Sequence, residues 1–479
     1  MRVRVALLLV LLCSLVGCAV NPATGRNDFV MMSEQQEIEL GQRYNEEIRK
    51  QYPRYADEKL QAYVQQVGER VARYGHRSYL KYSFTVIDSP DINAFALPGG
   101  HIYIHRGLMA YLSSEAELAA VLGHEVGHVT ARHSVRQQSQ STAWGLLGQA
   151  VAIGTGVGAA GDLTNALGGA FVSGYGRDME LEADGLGAQY LARSGYDPQA
   201  MIEVVKVLKS QEDFARDQAR AKGQEVAPAG YHGLFDTHPD NDTRLRQVVA
   251  AASPLATGQG EVGRDVYLKH IDGMPFGDSA EAGVRRGQRF YHSGLDFTLA
   301  FPQGWELINR ADALIVHSAD QQAFVVMSLE PLPKNMDAAQ YLSKRAGRQQ
   351  LVLQNSFRQA GLDVATAVVP GTAAKRVAVI ARERQAFLFV GAVKGHASLE
   401  SEDERFLEVV HSFRPLQAQE RVLSEPRRLR LQQFKAGQSL DGLSKQMSGE
   451  GDQLVRLRLL NGLYPEGQPQ PGDWLKTVH

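Results

Sequence analysis

The chain has 479 residues, a net charge of −2 and a sequence pI near 6.7, so its charge gives no indication of a nucleic-acid-binding protein. Hydrophobic residues make up 44% and charged residues 22%, which is the composition of an ordinary globular protein. The length predicts two or three domains.

The first residues have the pattern of an export signal. A basic start at Arg2 and Arg4 is followed by an apolar stretch over 5–12. The sequence Leu-Val-Gly-Cys at 15–18 resembles a bacterial lipoprotein signal, in which the cysteine is lipidated after cleavage. The alternative is a plain secretory signal with an incidental cysteine. Because Cys13 would be removed, Cys18 would remain without a disulfide partner, and this favours lipidation.

We therefore predict a signal peptide over 1–17 and a lipid-anchored linker over 18–32, with Cys18 as the lipidated residue. Ala19 follows this cysteine, whereas the enterobacterial pattern for retention at the inner membrane has Asp there. The sequence thus indicates the periplasmic face of a bacterial outer membrane.

Two helices and two short strands are predicted next. Ser33 and Gln36 occupy capping-box positions at the start of a helix over 33–52, and a second helix is predicted over 57–74. Alternation of polar and apolar residues predicts strands over 82–88 and 101–105.

The sequence His-Glu-Val-Gly-His at 124–128 carries the most chemistry. It follows a Ser-x-x-Glu capping box at Ser114 and an apolar run, which together predict a buried helix. On a helix His124 and His128 lie one turn apart on one face, so both can bind one Zn²⁺. Glu125 can then act as a general base without binding the metal. The alternative is a buried helix with two core histidines.

A catalytic zinc site needs a third protein ligand. Glu180 and Asp184 share a helix face further along the chain. We predict that Glu180 binds the metal and that Asp184 accepts the free ring N–H of a ligand histidine. Glu182 points elsewhere on the helix and is the weaker candidate. The alternative is a solvated acidic helix face.

Taken with Asn-Ala-Phe-Ala-Leu-Pro-Gly-Gly at 93–100 and Gly-Leu at 107–108, these motifs resemble the gluzincin metallopeptidases. That family includes the CAAX prenyl endopeptidases and bacterial periplasmic protease-chaperones. The resemblance runs from about 34 to about 247. It implies a mainly helical zincin-type domain with a small β-sheet, and one Zn²⁺ per chain held by His124, His128 and Glu180. It also implies Glu125 as the base and Asp184 as the supporting aspartate.

In gluzincin architecture a strand lines the cleft and pairs with an extended substrate. The predicted strand consists of His101, Ile102, Tyr103, Ile104 and His105. The chain departs from the integral-membrane branches of the family, because no clean hydrophobic span of about 20 residues flanks the motif. The uncharged, glycine-rich stretch over 144–161 is predicted to be a mobile apolar segment near the active site, and a transmembrane span is the alternative.

Three residues are candidates for stabilising the oxyanion of a peptidase reaction: Tyr175, Arg177 and His238. His238 lies in a Thr-His-Pro sequence that periplasmic members of the family carry at a similar place. It has two further possible roles, covering the zinc at rest or capping the helix that follows.

The domain boundaries follow from these assignments. We predict a metallopeptidase domain over 33–250, a linker over 251–289 and a smaller α+β domain over 290–416, giving an α+β protein. Within the smaller domain, 336–359 is predicted to be helical. The tail over 428–479 resembles a degenerate LysM module, a type that binds N-acetylglucosamine polymers such as peptidoglycan.

The sequence therefore predicts a lipid-anchored periplasmic zinc endopeptidase that acts on misassembled or damaged envelope proteins. Two alternatives remain open. One is a holdase or assembly factor for outer-membrane proteins with gated proteolysis. The other is a scaffold lipoprotein tethered to peptidoglycan, against which a complete ligand set argues.

Overall fold

The computed structural model describes residues 18–142, 175–221, 241–310 and 312–479. The chain divides into two units, one formed by residues up to Phe276 together with Arg428–His479, the other by Gly277–Arg427. Both units combine helices with sheets, which confirms the predicted α+β class.

The first unit is mainly helical. Its helices before Phe276 are α1 (Glu34–Gln51), α2 (Glu58–Ala72), α3 (Arg106–Tyr111), α4 (Glu115–Thr130), α5 (Arg177–Ser194), α6 (Ala200–Ala221), α7 (Asn241–Ala252) and α8 (Arg264–Ile271). Residues 133–142 are also helical, and short 3₁₀ turns cover Pro98–Gly100 and Ser253–Leu255. Within the described part of the chain, none of the helices has the length and apolar character needed to span a membrane.

The first two helices begin where their capping signals lie. The Ser33 hydroxyl accepts the Gln36 amide at 3.3 Å, and the Gln36 side chain accepts the Ser33 amide at 2.9 Å, which completes the predicted capping box. Asp57 caps α2 in the same manner through two amides of its first turn. These bonds satisfy amides that have no partner within the helix. Both predicted helices are confirmed.

Helix α4 carries the two motif histidines and is buried along all 16 residues. The Ser114 hydroxyl caps it by accepting the Glu117 amide at 3.1 Å. The Glu117 carboxylate accepts the Ser113 amide at 2.8 Å, one residue before the cap. The predicted buried helix is confirmed, because its apolar residues are enclosed on every side.

Among the described residues before Phe276, the strands of this unit form two small sheets. In the first, β1 (Cys18–Val20) pairs antiparallel with β2 (Asn27–Phe29). The second contains β3 (Ser83–Ile87), β4 (Ala94–Leu97) and β5 (His101–His105) in the order β3–β5–β4. The central strand pairs parallel with β3 and antiparallel with β4.

The prediction that His101–His105 pairs with substrate is wrong. An incoming peptide can extend a sheet only along an edge whose backbone groups are unpaired. Both edges of β5 are taken by strands of the chain itself. Among the described residues, β4 is an edge strand of this sheet. It pairs with β5 on one side and has no strand neighbour on the other.

Two glycines allow α4 and α5 to approach closely. A Cβ added to Gly127 would lie 3.0 Å from the Ala183 backbone oxygen, and one added to Gly187 would lie 3.1 Å from the His124 amide nitrogen. Only residues without a side chain permit this spacing. The approach brings Glu180 of α5 next to the histidines of α4.

Gly127→Ala is expected to separate the two helices, lowering zinc affinity and destabilising the fold by about 1–3 kcal/mol, the usual cost of overpacking. Gly185→Ala on α5 is the matched control, because its Cβ would meet nothing within 4 Å. That control should keep zinc affinity and gain about 0.5–1 kcal/mol from helix propensity. Chelator competition and urea unfolding measure both effects. Unchanged zinc affinity in Gly127→Ala would disprove the role of this close approach.

The predicted linker over 251–289 differs from what the structure contains. Helix α8 lies within it, and Tyr267, Leu268 and Ile271 of this helix are buried in the core of the first unit. Small residues over 250–263 are typical of a linker, but the apolar residues just after them are buried in the core of the first unit.

The described residues of the second unit form two sheets and two α-helices. Its strands are β6 (Val284–Arg286), β7 (Arg289–His292), β8 (Phe297–Ala300), β9 (Glu306–Asn309), β10 (Leu314–His317), β11 (Ala323–Pro331), β12 (Val352–Gln359), β13 (Leu362–Val369), β14 (Lys375–Arg382), β15 (Gln385–Val393) and β16 (Arg414–Pro415). The helices are α9 (Ala338–Ala346) and α10 (Leu399–Ser412), and a 3₁₀ segment covers Ala418–Ser424. The sheet orders are β12–β13–β14–β15–β11–β10–β9 and β16–β8–β7–β6.

The prediction of a helix over 336–359 is wrong in its second half. Helix α9 ends at Ala346, and Gly347 follows with φ 60°, a conformation that glycine adopts readily. The chain then forms β12, which pairs antiparallel with β13. Pairing with a later strand overrides the local helical tendency.

The tail returns to the first unit. Its elements are β17 (Leu429–Gln433), α11 (Leu440–Ser444), α12 (Gln453–Leu460) and β18 (Trp474–Val478), and the two strands pair antiparallel. Leu457, Leu475 and Val478 are buried in the same core as α4 and α5. The Lys476 ammonium donates to the Leu112 carbonyl at 2.5 Å, just before α4. The tail is thus part of the first unit, and its LysM resemblance stays a prediction.

Deleting residues 428–479 is expected to destabilise the first unit by more than the roughly 2–5 kcal/mol that follows truncation of one large core side chain. The reason is that several tail residues fill a core shared with α4. Urea unfolding of the full and truncated chains measures the difference. An unchanged unfolding midpoint and unchanged zinc binding would show that the tail is an independent module.

Candidate metal centre

Two imidazoles of α4 face one point. His124 and His128 are 6% and 1% exposed, and their Nε2 atoms lie 2.9 Å apart. Two ring nitrogens this close in a buried site can share one cation. The i, i+4 spacing in the sequence produces this arrangement because one helical turn separates the two residues.

Glu180 of α5 completes the group. Its Oε2 lies 3.4 Å from the His124 Nε2, and its Oε1 lies 3.4 Å from the His128 Nε2. Among the described residues, these three form the group of donor atoms close enough to hold a metal. Tetrahedral ligands of Zn²⁺ lie about 3.3–3.5 Å from one another, so the two distances from Glu180 to the histidines and the N₂O donor set fit zinc.

Asp184 and Arg244 support the first histidine. The Asp184 Oδ1 lies 2.8 Å from the His124 Nδ1. The Arg244 guanidinium donates to both oxygens of Asp184, through Nε at 2.8 Å and Nη2 at 2.7 Å, and its Nη1 lies 3.5 Å from Glu180. Asp184 therefore orients the imidazole while Arg244 of α7 orients Asp184.

The charges of this group shift its pKa values. Burial opposes ionisation of Asp184, but the positive charge and hydrogen bonds of Arg244, with those of His124, lower its pKa to about 2. Burial likewise disfavours the protonated form of His124, but hydrogen bonds to Asp184 and Glu180 raise its pKa to about 9. The excess of carboxylates gives the site a strong preference for a cation.

Glu125 is 1% exposed and follows the first ligand on α4. Burial opposes the charge on Arg244, while the negative charges of Asp184, Glu180 and Glu125 raise its pKa. A buried carboxylate beside the ligands is suited to accept a proton.

The predicted oxyanion candidates differ in placement. The Tyr175 ring stacks on His128 with centroids 4.0 Å apart, and its hydroxyl bonds to Ser134 at 2.7 Å. Burial raises the pKa of Tyr175, which keeps its phenol protonated and able to donate. Arg177 is exposed on the first turn of α5. His238 and the apolar stretch over 144–161 lie outside the described residues.

Three supporting residues were not predicted. Arg244 is 3% exposed and shares a face of α7 with buried Val248. An arginine one helical turn before an apolar residue is therefore the sequence feature that could have indicated its burial. His133 contacts His128, and Glu182 contacts His133 rather than joining the donor group. Their partners come from other elements, which sequence spacing does not reveal.

Comparison with known proteins agrees with this geometry. Residues 58–252 match the profile of Peptidase family M48. The chain is 31% identical over 257 residues to the "Beta-barrel assembly-enhancing protease" of Escherichia coli (strain K12), covering 52% of this chain and 50% of that protein. The Yersinia pestis protein of the same name is 32% identical over 235 residues, covering 47% and 45%.

A more distant relative comes from a eukaryote. The "Mitochondrial metalloendopeptidase OMA1" of Schizosaccharomyces pombe is 30% identical over 233 residues, covering 47% of this chain and 64% of that protein. The chain spans about half the length of the bacterial relatives it matches. The matched region contains the three donor residues and Glu125, which confirms the predicted zinc metallopeptidase family. Residues 58–252 are therefore a domain of Peptidase family M48.

Proposed function

We propose that the chain is a zinc-dependent endopeptidase. The observation that carries this function is the convergence of His124, His128 and Glu180 in a buried site, with Glu125 next to the first ligand on the same helix. Two nitrogens and one carboxylate oxygen form the ligand set of hydrolytic zinc sites, which keep a position open for water or substrate.

The residues of the chain divide the work of hydrolysis. Zn²⁺, when bound, polarises the substrate carbonyl and makes water more acidic. Glu125 accepts the proton that water loses on attacking the peptide carbon and delivers it to the departing amine. Asp184 holds the His124 ring in place. The protonated Tyr175 phenol beside His128 can donate to the carbonyl oxygen as negative charge develops there. Arg177 and His238 are the two other candidates for this role.

We assign substrate pairing to the outer edge of β4 in place of β5. Ala94 and Ala96 face the core with α4, whereas Phe95 and Leu97 pack towards α1. The strand thus lies against the helix that carries the site. An extended peptide that adds to its edge would make backbone bonds with little dependence on side chains.

The substrate class we propose is misassembled or damaged envelope protein, in outer-membrane protein quality control. The names of the bacterial relatives support this proposal, as does the predicted export signal. A holdase or assembly factor with gated proteolysis is the second candidate, and a scaffold tethered to peptidoglycan by the tail is the third. A scaffold does not require a complete ligand set, whereas proteolysis does.

Hydrolysis of an unfolded protein such as casein tests the proposal. The zinc-loaded chain should cleave casein, lose activity with a chelator and regain it when zinc is restored. Zinc binding without any cleavage would favour the holdase. Failure to bind zinc would reject the peptidase function itself.

The proposed location depends on Cys18. We expect the full chain made in a bacterial host to take up labelled palmitate and to fractionate with the outer membrane, on its periplasmic face. The Cys18→Ser variant should be unlabelled and released from the membrane. The difference arises because stable anchoring needs acyl chains buried in the bilayer. An unlabelled wild-type chain in the soluble periplasmic fraction would contradict the anchor.

A further inference from the structure

The two ligand histidines are supported in different ways. The His124 Nδ1 faces a carboxylate, Asp184, at 2.8 Å. The His128 Nδ1 instead faces a second imidazole, with the His133 Nδ1 at 2.7 Å. His133 is fully buried and lies in the helical segment over 133–142 that follows α4.

The geometry fixes where the protons must lie when the site holds zinc. The Nε2 of His128 points to the other donor atoms, so its Nδ1 carries the ring proton and donates it. The His133 Nδ1 must then be the acceptor. The proton of His133 is consequently on Nε2, which lies 3.2 Å from the Glu182 carboxylate.

Glu182 is itself held on both oxygens. The Arg136 Nη1 donates to Oε2 at 2.8 Å, and Asn21 Nδ2 donates to Oε1 at 3.3 Å. Asn21 also donates to Asp28 at 2.7 Å, which lies 3.3 Å from the Arg136 Nε. The chain of contacts from His128 therefore ends in the β1–β2 hairpin, which begins at Cys18.

We propose that His133 and Glu182 are positioning residues that hold His128 in the tautomer whose Nε2 binds the metal. The contacts form an imidazole–imidazole–carboxylate chain, which the β1–β2 hairpin fixes at its far end. This inference rests on the proposed zinc site. Mutation of a residue that supports a ligand histidine typically lowers metal affinity by roughly 10–100-fold.

The test is zinc affinity, measured by competition with a chromogenic chelator on the full chain. His133→Leu removes the acceptor and should lower affinity by roughly 10–100-fold. His133→Asn places an amide oxygen near the Nδ1 position and should recover most of that loss. Glu182→Gln should give a smaller loss. The matched control is His76→Leu, which removes a histidine that bonds to Tyr190 at 2.7 Å and should leave zinc affinity unchanged.

A second readout separates positioning from folding. In the cobalt-substituted chain, the visible absorption bands should shift in His133→Leu and return towards wild type in His133→Asn. Wild-type affinity in His133→Leu, or equal loss in the Leu and Asn variants, would overturn the proposal. If Leu impairs folding, unchanged affinity in the partly exposed Glu182→Gln variant would overturn it instead. Absence of zinc binding in wild type would reject the proposed function rather than this inference.

Discussion

Glu125→Gln is expected to retain zinc and to lose peptide hydrolysis by roughly 10²–10⁴-fold, the usual contribution of a positioned general base. Glutamine has nearly the same shape, so the buried helix should fold as before. It cannot accept the proton that water releases during attack. The measurement is kcat/KM for casein cleavage at matched zinc occupancy.

Glu115→Gln is the control for this substitution. Glu115 is on the same helix, but its carboxylate accepts the hydroxyls of Tyr63 at 2.9 Å and Tyr196 at 2.6 Å, and it is not in the donor group. Its amide replacement should leave turnover close to wild type. Wild-type turnover in Glu125→Gln would show that another group is the base.

Arg244→Met should be the most destabilising single change at the site. The side chain is 3% exposed and pairs with Asp184 and Glu180, which are 1% and 0% exposed. Removing the cation leaves buried carboxylates uncompensated, a change that typically costs about 3–5 kcal/mol. Urea unfolding of the zinc-free protein measures this cost.

The double variant Arg244→Met with Asp184→Asn provides the control. Neutralising the aspartate should recover part of the lost stability, since the two residues interact directly. Zinc should also reduce the effect of Arg244→Met, because it supplies positive charge to Glu180. Strictly additive losses in the double variant would contradict the proposed pairing.

The same pair predicts a pH dependence in the wild type. The pKa of Asp184 is about 2 in the folded chain, below its ordinary 3.8, because Arg244 outweighs the effect of burial. Its contribution to the free energy of unfolding is therefore complete above the ordinary pKa and is lost as the pH falls towards 2. Unfolding of the zinc-free chain between these pH values should show this slope, and Arg244→Met should flatten it.

The features that the sequence predicted correctly depend on residues close together in the chain. The cap at Ser33, the buried helix α4 and the pairing of His124 with His128 each arise within one or two helical turns. Glu180 was found because it shares a face with Asp184. Such local patterns determine helix faces directly.

The errors arose from contacts between distant segments. The position of β5 between two strands depends on pairing with β3, which no local pattern specifies. Arg244 reaches Asp184 across 60 positions of the chain. Lys476 donates a hydrogen bond to the Leu112 carbonyl across 364 positions of the chain, and this contact joins the tail to the first unit. Burial and pairing of this kind are properties of the folded core.

The proposed site holds one zinc ion between His124, His128 and Glu180. Its most direct test is the metal content of the purified chain, measured by mass spectrometry for wild type and for His128→Ala. We expect one zinc per wild-type chain and almost none in the variant. Equal zinc in both proteins, or no zinc in wild type under zinc-replete conditions, would contradict it.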